Sequence, residues 1–437
     1  MANPSEPTPL VTILPGPSAF SIDGPPYPPP ETLNIPRHLK YWLRCTKTCL
    51  PEDYTPTDTN RMTLGCFSIS ALDLLGNLQT ETTPQERAGW VDWLYMNQLP
   101  GGGFRGGPAT NFSIPGAETE DKDDGNERGH KYDPVNLPAC YFAIATLVAL
   151  GDDLERLDRR GLLKVVNRLQ REDGSFGECL IRENGQDKVT TGGDMRFVYM
   201  AAAVRWLLRG QEGMGCREVP DFEVEKLVGY IRSAQGYDGG VSDRELGESH
   251  AGMTYCAVAA LSLLGHLEDG ISNYDDLVRW LVQRQVPFEE RHVMDDEEWA
   301  DILATGTEAE KAAGVEINLG PDGKPIWGGF HGRCNKKADT CYSFWIGGTL
   351  SILKKLHLMD LNANRRFLLE KTRHIIGGFM KLPEDGGKPD ILHSFLGLAA
   401  LALMREEGLN RLDPALCISM QAKERLMALD WWKNGAL

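Results

Sequence analysis

This chain of 437 residues lacks most features that would place it outside the cytosol. Its ten cysteines form no Cys-x-x-Cys pair and follow no regular spacing. That argues against a disulfide scaffold and for reduced thiols. No apolar run reaches the roughly 18 residues that a membrane span needs; the longest, 139–151, suits a buried helix. The N-terminal Met-Ala-Asn-Pro-Ser-Glu-Pro has neither the cationic start nor the apolar core of a secretory signal. The C-terminal Asn434-Gly-Ala-Leu437 carries no lipidation Cys, so the chain is not expected to be lipidated itself. A cytoplasmic protein with no stable membrane insertion is the expectation. Positive charge is scarce as well: 46 Lys and Arg stand against 62 Asp and Glu, a net charge of −16. The balance argues against nucleic acid as a partner and suits partners with basic segments.

What is present is a repeat. Residues 1–36 hold eleven of the 26 prolines and read as a disordered or extended arm. Beyond them, Gln98-x-x-x-Gly102-x-Phe104, Gln170-x-x-x-Gly174-x-Phe176 and Gln235-x-x-x-Gly239-x-Val241 share one pattern. Lys324-x-x-x-Gly328-x-Phe330 and Arg373-x-x-x-Gly377-x-Phe379 extend it with a basic first residue. Each element separates two helical segments, with Gly allowing a tight turn and Phe available to plug the space between helices. The helices starting at Thr254, Thr340 and Ile391 are apolar nearly all round, so they are expected inside; amphipathic partners such as 153–170 belong outside. Two concentric rings, an all-α α/α toroid over residues 37–437, is the expected fold. Acidic stretches near 117–130 and 287–320 are expected as surface insertions. The first contains Asp121-Lys-Asp-Asp124, the D-x-D-D acid motif of toroidal terpene cyclases, whose repeats are similar. Its charged neighbours Glu118, Glu120, Glu127 and Arg128 oppose the dry cavity such an acid requires.

One block carries chemistry: His331-Gly-Arg-Cys-Asn-Lys-Lys-Ala-Asp-Thr-Cys-Tyr-Ser-Phe-Trp345. Asp339 and Cys341 are two candidate metal ligands, and His393 in Pro389-Asp-Ile-Leu-His-Ser394 is a third. Three such ligands with a fourth position open are the pattern of a catalytic zinc site. Arg333 and Lys336 beside it would suit an anionic phosphate or diphosphate. Taken singly, each residue has a plainer explanation: Cys341 as a small core hydrophobe, His393 as a satisfied helix residue, Arg333 and Lys336 as a solvated face. Asp390 reads equally as a helix N-cap or as a group orienting His393.

The block resembles, nearly residue for residue, the zinc and diphosphate segment of the β subunits of CaaX protein prenyltransferases. Glu248-Ser-His-Ala-Gly252 with Thr254-Tyr-Cys256 resembles that family's second diphosphate segment. Asp194-Met-Arg-Phe-Val-Tyr199 resembles its peptide-facing segment, and the resemblance spans about Arg61 to Met404. It implies the α/α toroid independently of the repeats. It also implies one Zn²⁺ on Asp339, Cys341 and His393, with a substrate thiol as the fourth ligand. The diphosphate would be held by His250, Arg333, Lys336 and Tyr342, and the lipid by Thr63, Tyr199, Cys256 and Trp345. Arg196, Phe67 and Leu392 would meet the peptide, Phe67 and Leu392 shaping a pocket for a terminal Leu or Phe. A prenyltransferase α subunit is the implied partner, and CaaX-terminated proteins, Rho- and Rac-type small GTPases among them, the implied substrates.

Two positions bear on the donor. Farnesyl-transferring relatives place a Trp at the lipid tail, where this chain has Thr63, and a magnesium-binding Asp where it has Lys381. Thr opens room for a fourth isoprene unit, and Lys supplies a fixed ammonium in place of Mg²⁺. Both changes point to geranylgeranyl diphosphate as donor with no Mg²⁺ requirement. The alternatives within the family are a farnesyltransferase and a Rab-type geranylgeranyltransferase; outside it stands a non-catalytic toroid that only binds. Met253, beside the lipid, and the loop between Lys381 and Asp390 depart from the family pattern.

Overall fold

The computed structural model describes residues 31–110, 133–183, 186–210, 216–288, 319–320, 322–383 and 387–434. Among the described residues, twelve helices alternate between two layers. The inner ones are α2 (Arg61–Leu74), α4 (Leu137–Leu150), α6 (Met195–Arg209), α8 (Ala251–Leu264), α10 (Thr340–Ile352) and α12 (Ile391–Leu403). The outer ones are α1 (Ile35–Lys47), α3 (Pro84–Met96), α5 (Arg159–Leu169), α7 (Val224–Ser233), α9 (Tyr274–Val282) and α11 (Leu361–Arg366); a wider turn, Phe367–Thr372, prolongs α11. Each inner helix packs on the next and α12 closes on α2, so the inner layer is a ring. Inner helices such as α4 and α12 are buried on almost every face, whereas α5, α7 and α9 bury one stripe.

The repeat turns explain the ring. Gln98, Gln170 and Gln235 bridge to Phe104, Phe176 and Val241. The Phe rings have no exposed surface and sit in the interlayer space. Each Gln amide then grips the N-cap backbone of the next outer helix. Gln170 Oε1 accepts from Glu223 N at 2.7 Å and its Nε2 donates to Glu223 O at 2.9 Å; Gln235 does the same with Asn273. The turn glycine is required by shape as well as by dihedral. Gly102 has φ +91°, and a Cβ there would lie 2.2 Å from Leu162 N of α5. At Gly377, φ +90°, it would lie 2.3 Å from Arg37 O of α1, so the fifth turn closes the outer ring on its first helix.

The fourth turn corrects the sequence reading. Phe330 pairs with Gln285, not with Lys324, through β4 (Gln285–Pro287) and β5 (Gly328–Phe330). Gln285 Nε2 donates to Asp360 O at 2.9 Å and its Oε1 accepts from Asp360 N at 2.8 Å, the same grip on α11. The acidic stretch therefore interrupts the turn itself, with Phe288 N donating to Trp327 O where the strands part. Most of both acidic stretches, Asp121–Asp124 included, lies outside the described residues, as does 1–30. α1 starts at Ile35, just inside the stretch read as an arm. Among the described residues the fold is all-α but for β4–β5, a three-stranded sheet of β1 (Val135–Asn136), β2 (Cys179–Glu183) and β3 (Gln186–Thr190), and a hairpin of β6 (Leu412–Asp413) and β7 (Ile418–Ser419). Among the described residues no helix is long and apolar enough to cross a membrane.

Candidate metal centre and its surroundings

All six inner helices begin at one end of the toroid, since each follows an outer helix and its turn. Polar side chains cap five of them: Asn136, Asp194, His250, Asp339 and Asp390 each accept a backbone N–H of the first turn. Capping stabilises the helices, and their aligned positive ends favour anions at this rim. The same caps carry or orient the candidate site.

Asp339, Cys341 and His393 converge there, with one ligand atom from each lying within 4.8 Å of the others. Asp339 caps α10 through Cys341 N at 2.8 Å, which brings its carboxylate beside the Cys341 thiol. His393 enters from α12, its Nε2 3.3 Å from Asp339 Oδ1. Its Nδ1 donates to Asp390 Oδ2 at 2.6 Å. All three are buried. Burial and then the Asp339 carboxylate push the Cys341 thiol well above its ordinary range. Burial alone would lower His393, but hydrogen bonds to Asp339 and Asp390 outweigh it and raise the imidazole to about 9. A buried carboxylate, thiol and imidazole so placed are a donor set that a divalent cation satisfies, with Asp390 fixing the tautomer that exposes Nε2.

Next to this cluster lies a polar group of a different kind. His250 Nδ1 accepts from Gly252 N at 3.1 Å, which leaves Nε2 as the protonated nitrogen, 3.1 Å from Tyr342 Oη. Tyr342 can then accept from His250 and turn its own proton outward. Burial, and then the nearby Arg333, hold the His250 pKa below its usual value. Arg333 pairs with Glu248, which links the loops ahead of α8 and α10. Lys336 is exposed on the same loop. Lys381 accepts Thr340 N at 3.0 Å through its carbonyl, and its charge favours the Cys341 thiolate. The intervening loop therefore does not carry Lys381 away from the centre.

The prenyltransferase α/α-toroid domain family matches residues 33–418. The chain belongs to this family. It is 32% identical over 409 residues to the geranylgeranyl transferase type-1 subunit beta of Arabidopsis thaliana, covering 88% of this chain and 89% of the relative. The subunit of the same name from Dictyostelium discoideum is 27% identical, over 92% and 98% of the two chains. Among solved structures, Candida albicans protein geranylgeranyltransferase-I complexed with GGPP superposes with a TM-score of 0.72 at 27% identity, covering 91% of this chain and 99% of that one.

Against this prenyltransferase scaffold the remaining expected residues line the ring. Thr63 and Phe67 are half-buried on α2, and Trp345 on α10. Phe67 stacks on Phe395 at 4.9 Å and meets Phe142 edge-on at 5.5 Å. Phe142 leads to Tyr141, Tyr199, Tyr255 and Trp345 in contacts of 5.0 to 5.6 Å. Every inner helix thus contributes to one aromatic belt. Tyr141, Phe142, Tyr255 and Phe395 were not singled out by sequence. They sit in helices apolar on all sides, where no periodicity marks the inward face. Cys256 is buried and feels the charges of Asp194 and Arg196. Arg196 pairs with Asp194 at 2.6 Å and is exposed at the rim, and Leu392 is 40% exposed beside His393.

Proposed function

We propose that the chain is the catalytic β subunit of a heterodimeric zinc enzyme. It transfers a C20 geranylgeranyl group from geranylgeranyl diphosphate to the Cys thiol of C-terminal CaaX motifs ending in Leu or Phe. The observation that carries this reading is the convergence of Asp339, Cys341 and His393 at a rim that also presents His250, Tyr342 and Lys381. A prenyltransferase α subunit is the partner, Rho- and Rac-type GTPases are the substrate class, and the compartment is the cytoplasm. The type-1 relatives support the C20 donor.

Zn²⁺ on the three ligands would bind the substrate Cys as thiolate, the nucleophilic form at neutral pH. The protein's own residues do the rest. Departure of diphosphate from C1 builds negative charge on the leaving oxygens. His250, Tyr342, Arg333 and Lys336 supply donors and fixed cations where that charge develops. Lys381 adds an ammonium between diphosphate and thiolate, the place of the magnesium that is not required. The belt around Thr63, Tyr199, Cys256 and Trp345 holds the apolar chain and excludes water. Arg196 meets the peptide end, while Phe67 and Leu392 bound the pocket for its last residue. Cys341→Ala tests the reading by metal analysis of the heterodimer. Loss of one zinc per heterodimer together with transfer is expected; retained zinc and transfer would overturn it.

A further inference from the structure

The loops that carry His250 and Arg333 are joined twice. The first joint is direct, Ala251 N donating to Gly332 O at 2.8 Å. The second runs through side chains. Ser249 Oγ donates to Asp238 Oδ1 at 2.5 Å, and Trp280 Nε1 donates to Asp238 Oδ2 at 2.9 Å. The Arg284 guanidinium lies over the Trp280 ring, 4.9 Å from its centroid, and its Nε donates to Trp280 O at 3.2 Å. Its Nη1 donates to Cys334 Sγ at 3.0 Å, and its own carbonyl accepts His331 N at 3.1 Å. One residue thus holds the segment 331–334 on both sides of Arg333. His331 Nδ1 closes on Arg333 O within that segment. Gly332 lies against Tyr342, where a Cβ would come within 2.1 Å of the ring.

Arg284 is only 5% exposed, yet among the described residues no carboxylate pairs with it. Burying a guanidinium without a counter-charge is costly, and stacking on an indole offsets only part of that cost. No ion pair competes for its planar fork, so its side-chain contacts are committed to Trp280 and to Cys334. We propose that Arg284 is a positioning residue for the diphosphate. Through Cys334 and His331 it sets Arg333, and through Trp280 and Asp238 it fixes this loop against the one that carries His250. The inference rests on the prenyl-transfer reading above. Buried as it is, Arg284 acts through Arg333 rather than by touching the diphosphate.

The test measures the affinity of the heterodimer for geranylgeranyl diphosphate in wild type, Arg284→Met, Arg333→Met and the double variant. Met keeps an apolar stem on Trp280 and removes the N–H groups. Arg284→Met is expected to weaken the diphosphate by about tenfold, the scale of coupling between neighbours, with peptide KM and zinc content unchanged. The double variant is expected to bind like Arg333→Met alone, because the two residues share one task. If Arg284→Met fails to fold, Cys334→Ala removes the same contact from an exposed position and enters the same cycle with Arg333→Met. Losses that multiply in the double variant would overturn the proposal, as would a lowered thermal midpoint with diphosphate affinity unchanged. A wild type that binds no geranylgeranyl diphosphate would instead overturn the prenyl-transfer reading.

Discussion

Asp390 serves His393 twice. One carboxylate oxygen caps α12 through His393 N at 2.9 Å, and the other accepts from His393 Nδ1 at 2.6 Å. The two readings open at the level of sequence, helix cap and imidazole orienter, are both satisfied by one side chain. They can be separated by substitution. Asn caps a helix as well as Asp does, but without a charge it binds the Nδ1 proton more weakly. Asp390→Asn is therefore expected to leave thermal stability nearly unchanged while weakening zinc binding by roughly 10–100-fold, the usual cost of losing such a partner. Competition with a chelator measures it. Equal zinc affinity in the two proteins would show that the imidazole needs no orienting partner.

The ammonium of Lys381 lies close enough to influence Cys341. Lys381→Asp is expected to make transfer depend on Mg²⁺, with little activity in EDTA-treated, zinc-reloaded enzyme until magnesium is added. Transfer that ignores magnesium in this variant would remove Lys381 from the diphosphate site.

Thr63 stands half-buried on α2, the helix that also carries Phe67. Thr63→Trp fills the space of about one isoprene unit, so kcat/KM should shift from the C20 toward the C15 donor by at least tenfold. An unchanged donor ratio would place the lipid tail elsewhere.

The fourth turn predicts a difference in stability between two residues with similar claims in the sequence. Gln285→Ala removes two hydrogen bonds to the α11 cap and is expected to cost about 1–3 kcal/mol. Lys324→Ala, at an exposed position, is expected to stay within about 0.5 kcal/mol. Urea unfolding of the two variants decides which residue belongs to the repeat, and the reverse order would restore Lys324.

That turn also shows where legibility ended. The toroid could be read because its turns have stereochemical needs that leave marks: a Gly where φ is positive and a helix backbone lies against it, and a Phe six residues after the Gln. The insertion broke the local spacing and left Lys324 at the expected distance from Gly328, so the wrong residue fitted. The candidate metal cluster was legible because Asp339 and Cys341 share one helix start and His393, about fifty residues on, is a third ligand of the right kind, which the family resemblance then joined to them. Tyr141, Phe142, Tyr255 and Phe395 were not legible. On a helix buried all round, the face that turns toward the aromatic belt is set by packing and leaves no polar–apolar alternation.

Transfer to a peptide ending Cys-aliphatic-aliphatic-Leu is the decisive measurement. The assay uses this chain co-expressed with a prenyltransferase α subunit, with zinc and without magnesium. Preferential transfer from geranylgeranyl over farnesyl diphosphate, lost in Cys341→Ala, is the predicted result. Transfer from farnesyl diphosphate alone, or none until magnesium is supplied, would contradict it.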